Sequence, residues 1–129
     1  ESMQSKTEVS YYMRIGADEA RYANGVIPGA HLLKLCSDAA GELAIRHDGR
    51  AAWLARLHEV DFLEPVYAGE AVIIRARITR VGTRSRDVEL SVDKTLRMLY
   101  REGSFRVEAL ESPVPVLRGK STMVLMKED

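Results

Sequence analysis

Apolar and polar positions first fall into a repeating pattern over Val9 to Ile15, where aromatic and β-branched side chains predict a strand. From Pro28 the period becomes helical. Leu32, Leu35, Cys36, Ala39, Leu43 and Ala44 recur at three- and four-residue intervals. Pro28 suits the first helical turn, where its missing N–H costs nothing. His47-Asp48-Gly49 provides the stop, because Gly49 can take a left-handed conformation.

Strand signals follow the helix. Trp53 to Leu63 is one, ended by Glu64-Pro65. Ala71 to Val81 is the second, with Val72, Ile74, Ala76 and Ile78 alternating against more polar partners. Gly82-Thr83 makes a turn, Val88, Leu90 and Val92 alternate in the third, and Val114 to Met126 is the last. Leu96 to Ser112 has no clear period and reads as a strand extension plus an excursion. Strand, helix, then four antiparallel strands predict an α+β fold, one helix against a sheet.

Composition narrows the picture by exclusion. A chain of 129 residues without a visible linker or repeat predicts a single domain over 1–129. The opening Glu1-Ser2-Met3 reads as an addition, with a natural start at Met3. The formal net charge of zero gives no electrostatic case for binding nucleic acid or an anionic membrane. No apolar run is long enough to span a bilayer, and no signal peptide is visible. One cysteine, Cys36, excludes an internal disulfide and suggests a reducing, cytoplasmic setting.

The candidate chemistry lies on the helix. Asp38 and Glu42 are four apart and therefore side by side, with His31 and Lys34 on roughly the same stripe. Periodicity alone favours a solvated face with Lys34–Asp38 and Glu42–Arg46 pairs, each contributing a few tenths of a kcal/mol. Gly41 argues mildly against that reading, since a helical glycine costs roughly 1 kcal/mol and often marks a close approach. Ahead of the helix, Asn24-Gly25 is explained well enough as a turn. Gly29 and Ala30 offer free backbone N–H groups at the helix N-terminus, where the dipole could stabilise a negative oxygen.

The segment around Asp38, then Phe62-Leu63-Glu64-Pro65-Val66-Tyr67-Ala68-Gly69-Glu70, then Val81-Gly82-Thr83-Arg84-Ser85 resembles hotdog-fold acyl-CoA proteins. The match runs from about Ile15 to Lys127. That resemblance implies a curled antiparallel sheet wrapped around one long central helix. It also implies a homodimer or higher homo-oligomer, with an active site between subunits near the helix N-terminus. It implies an acyl-CoA substrate and no cofactor beyond the coenzyme A that the substrate carries.

Two branches compete. Asn24 with Asp38 is similar to the Asn/Asp pair of acyl-CoA thioesterases, in which the aspartate assists water attack. Asp38-Ala39-Ala40-Gly41-Glu42-Leu43 resembles the "D-x-x-x-E-L" of 3-aminobutyryl-CoA and β-alanyl-CoA ammonia-lyases. Ala17 to Tyr22 and Leu110 to Gly119 are similar to lyase segments as well. Arg21 and Gly25 depart from the lyase pattern, which tends to carry histidine and asparagine there. Ammonia elimination from a β-aminoacyl-CoA needs a base for the α-hydrogen and an acid for the amine, and two carboxylates can divide those roles. A thioesterase has no obvious use for Glu42. The resemblance therefore points to an ammonia-lyase with Asp38, Glu42 and Asn24 as catalytic residues and Gly29, Ala30 and His31 around the thioester. A thioesterase is the alternative, and a non-catalytic acyl-CoA-binding module a further one.

Arg80, Thr83, Arg84, Ser85 and Arg86 surround the Gly82 turn and are candidates for the coenzyme A phosphates. Simple solvation of the arginines is as good a reading. Arg118 and Lys120 are weaker candidates. His58 reads as a structural or surface residue and His47 as a helix-end residue. Cys36 belongs on the apolar helix face, as a core residue. The histidines, cysteine and acids show no metal-ligand spacing.

Overall fold

The structure, a computed structural model, describes residues 3–18, 25–101 and 104–127. Its helix, α1, spans Gly29–Asp48, with Pro28 in extended backbone at the N-cap. Gly49 ends it as expected, at φ 68°, donating its N–H to Ile45 O at 2.8 Å. The predicted apolar stripe is buried: Leu32, Leu35, Cys36, Ala39, Leu43 and Ala44, with Ala40 beside them.

The strands are β1 (Met3–Gln4), β2 (Glu8–Arg14), β3 (Ala52–Phe62), β4 (Ala71–Val81), β5 (Ser85–Arg101) and β6 (Ser104–Leu125). They form one antiparallel sheet in the order β1-β2-β4-β5-β6-β3. The helix packs against β2, β4, β5, β6 and β3, so the sheet curls around it without closing. Inward positions alternate as the period-two rule requires, Val72, Ile74 and Ala76 on β4 facing Val88, Leu90 and Val92 on β5. Each such side chain contributes on the order of 1.5–3 kcal/mol through burial. The strand after the helix, β3, lies at the free edge farthest from β2.

Two expectations need correction. The two-residue strand β1 has no sequence signal of its own. The Leu96 to Ser112 excursion is a hairpin in which β5 and β6 stay paired from Leu96↔Ala109 to Arg101↔Ser104. The last strand thus begins at Ser104, ten residues before Val114. Its missing period has a physical cause. From Leu96 to Leu99 and from Arg106 to Val114 no side chain is buried, and register shifts at Val92/Asp93 and Lys94/Leu96 interrupt the alternation.

Candidate active site

Asp38 and Glu42 face the same groove, as their spacing requires. Leu35 and Ala39 of α1, Tyr11 and Met13 of β2 and Ile74 of β4 complete its walls, around a volume of about 320 Å³. Both expected helix pairs form: Lys34 Nζ lies 2.8 Å from Asp38 Oδ2, and Arg46 Nε lies 2.8 Å from Glu42 Oε2. The two acids nonetheless differ. The Asp38 side chain is 63% exposed and the Glu42 side chain 35%. The Tyr11 phenol beside Glu42 and the Arg46 guanidinium hold that carboxyl below its ordinary range against the opposing effect of burial. Tyr11 in turn is pushed up to about 12, by burial first and then by Glu42. It therefore stays a donor at neutral pH.

The helix N-terminus borders a second groove of about 400 Å³, between Ile27, Gly29 and Leu32 on one side and Phe62, Leu63, Pro65 and Val66 on the other. Its apolar lining suits an acyl chain. His31 N–H is taken by Pro28 O at 3.0 Å. Among the described residues the N–H groups of Gly29 and Ala30 have no acceptor. A Cβ on Gly29 would lie 3.1 Å from the Phe62 ring, so glycine lets that ring rest on the first turn. Asp38 lies roughly 13 Å along the helix axis from Gly29. One protomer therefore keeps the carboxylate groove and the N-terminal donors apart. Asn24 and Arg21 lie outside the described residues.

The loop from Leu63 to Glu70 is held from behind. The Lys94 side chain is only 2% exposed, and its Nζ lies 2.8 Å from Glu70 Oε1 and 2.9 Å from Glu64 Oε2. It also donates to Pro65 O at 2.9 Å. Glu70 accepts the Tyr67 and Met98 N–H groups at 2.8 and 2.9 Å. Arg97 binds Glu64 at 2.7 Å. Burial raises the Glu64 pKa, but Lys94 and Arg97 outweigh it and hold the carboxyl low. The final glutamate of the quoted Phe62–Glu70 stretch thus fixes the wall of the apolar groove. Sequence reading missed Lys94, although a lysine directly after the Val88, Leu90, Val92 alternation was its signal. It missed Tyr11 too, a phenol in line with the inward Val9 and Met13.

The hairpin group divides. Arg80, Thr83 and Arg84 are exposed and Ser85 half-buried at one end of the sheet, Arg84 donating to Leu125 O at 3.0 Å. Arg86 corrects the expectation. It is buried, its Nε and Nη2 hold Asp48 at 3.0 and 2.8 Å, and its Nη1 donates to Gly82 O and Ser85 O. Four of its five N–H donors are used internally, so it is withdrawn from the phosphate-binding set. Arg118 is bound to Asp93 at 2.7 Å. His58 Nε2 lies 2.6 Å from Thr122 Oγ1, a surface role as expected. Among the described residues nothing lies within 4 Å of where a Gly41 Cβ would stand, so Gly41 marks no close approach among them.

The family model of the Thioesterase superfamily matches residues 24–95. A 3-aminobutyryl-CoA ammonia lyase of Acetoanaerobium sticklandii is 31% identical over 116 residues, 90% of this chain and 92% of the relative. The uncharacterized acyl-CoA thioester hydrolase YkhA of Bacillus subtilis is 34% identical over 98 residues, 70% of this chain and 57% of that protein. Among solved structures, the β-alanyl-CoA:ammonia lyase from Clostridium propionicum is similar with a TM-score of 0.86 at 23% identity, over 91% of this chain and 83% of that one. The fold is a hotdog, and the chain belongs to the Thioesterase superfamily.

Proposed function

We propose that the protein is a carbon–nitrogen lyase that eliminates ammonia reversibly from a short β-aminoacyl-CoA, such as 3-aminobutyryl-CoA or β-alanyl-CoA, to give a 2-enoyl-CoA. The observation that carries this reading is the second carboxylate: Glu42 shares the groove of Asp38 and is kept ionised there. The 31% identity to a 3-aminobutyryl-CoA ammonia lyase supports it. One carboxylate pairs with the substrate ammonium and the other moves the C2 proton. Gly29 and Ala30 N–H groups face the thioester oxygen, with His31 beside them, and Asn24 orients the substrate. Arg80, Thr83, Arg84 and Ser85 take the coenzyme A phosphates.

A second copy completes the site in this reading. The N-terminal donors and the carboxylates lie too far apart in one chain, and β3 offers a free edge with exposed Trp53, Leu57 and Phe62. Pairing along β3 would bring one copy's helix N-terminus to the other's carboxylates and remove water from both.

Thioester hydrolysis is the second reading, favoured by the likeness to the Bacillus subtilis hydrolase. Glu42→Gln separates the two. Under ammonia elimination it lowers kcat/KM by roughly 10²-fold or more, because the substrate ammonium or the moving proton loses its carboxylate partner. A variant with undiminished turnover would remove Glu42 from the chemistry and favour hydrolysis by Asp38 with Asn24.

A further inference from the structure

Both carboxylates line one groove, but their surroundings are unequal, and the inequality comes from β2. Tyr11 sits on the inward face of β2 opposite Ile74 of β4 and lines the groove together with Glu42. Among the described residues Asp38 pairs with Lys34, whose side chain is 65% exposed. From the ammonia-lyase reading above, we propose that Tyr11 is a positioning residue that fixes Glu42 as the ammonium-binding carboxylate and leaves Asp38 to take the C2 proton.

The step balances on that assignment. Asp38 removes a proton from C2 while the C3–N bond breaks, its electron pair leaving with nitrogen. The products are the enoyl thioester, ammonia and protonated Asp38. Ammonia then takes the Asp38 proton and leaves as ammonium, restoring both carboxylates. Glu42 carries no proton at any point; it holds the ammonium before cleavage and again once ammonia has taken the Asp38 proton. An acid that must stay ionised needs donors of its own, and Tyr11 and Arg46 are those donors. The other groups on that groove are Asp38 on the helix and the apolar Met13, Leu35, Ala39 and Ile74, and Gln4 of β1 acts on the phenol from outside it.

Tyr11→Phe tests this, because it keeps the ring and removes only the hydroxyl. In the protein labelled with ¹³C at glutamate side chains, the Glu42 carboxyl should titrate at higher pH in the variant than in the wild type. Steady-state kinetics of ammonia addition to crotonyl-CoA should show the same change. In the variant the KM for ammonium should rise several-fold at the acid end of the profile, where the Glu42 carboxyl now begins to take up a proton. The kcat at saturating ammonium should stay within about two-fold. In a Glu42→Gln background Tyr11→Phe should have no further effect. A purely structural tyrosine would lower stability and kcat together without moving the Glu42 titration. An unchanged Glu42 midpoint in an active Tyr11→Phe enzyme overturns the Tyr11 role alone. A wild type that adds no ammonia overturns the lyase reading, and this assignment with it.

Discussion

Arg86 grips Asp48 with two parallel hydrogen bonds of 2.8 and 3.0 Å, tying the last helical turn to the β4–β5 hairpin. Both side chains are nearly buried, 8% and 12% exposed. Removing one partner leaves an uncompensated charge, so Arg86→Met should destabilise the fold by about 3–5 kcal/mol. The pH dependence has a definite sign. Arg86 holds Asp48 below its unfolded pKa, with His47 adding to the effect against burial. The pair's stabilisation is therefore present above the ordinary carboxylate range and lost as pH falls through the lower, folded value. Urea unfolding at several pH values should show the gap between wild type and Arg86→Met closing on acidification. A gap constant down to pH 3 would contradict it.

Arg80 and Arg84 are exposed at the same end of the sheet, whereas Arg86 is buried. Calorimetric titration with coenzyme A should therefore separate them. Arg84→Ala, and Arg80→Ala beside it, should weaken binding roughly ten-fold or more, the worth of a charged hydrogen bond to phosphate, while leaving stability nearly intact. Full affinity in the double variant would move the phosphate site elsewhere.

Lys94 bridges Glu64 and Glu70 beneath the apolar groove. Lys94→Met strands the Glu70 carboxylate, 1% exposed, and should cost about 3–5 kcal/mol. Lys94→Met with Glu70→Gln should recover part of that loss, because the amide still accepts a backbone N–H and carries no charge. Additive losses in the cycle would show that the two side chains do not act as a pair.

The helix and most of the sheet were legible because each has one buried face with a clear period. Leu32 to Ala44 and Val72 to Ile78 state their core positions outright. The hairpin beyond Leu96 was not legible, since none of its described side chains up to Val114 is buried and register shifts at its base interrupt the alternation. The site was partly legible. Spacing placed Asp38 and Glu42 together, whereas the contributions of Tyr11 and Lys94 come from strands far away in sequence. Arg86 was misread for a related reason: its partner Asp48 is 38 residues distant, at the far end of the helix.

Gly41 shows the limit of a local argument. Its Cβ position is open among the described residues, so Gly41→Ala should raise stability by about 0.5–1 kcal/mol through helix propensity alone. Thermal unfolding measures it. A lowered midpoint would mean that another copy packs on this face of the helix.

The central claim is ammonia chemistry at a carboxylate pair, and one assay addresses it directly. Crotonyl-CoA is incubated with the protein and ammonium chloride while the enoyl absorbance and free thiol are followed together. Cys36 does not obscure the thiol signal in the folded protein, since it is fully buried and burial pushes its thiol up to about 12. The account predicts loss of enoyl absorbance that requires ammonium and releases no thiol. Thiol release at the same rate with and without ammonium would contradict it.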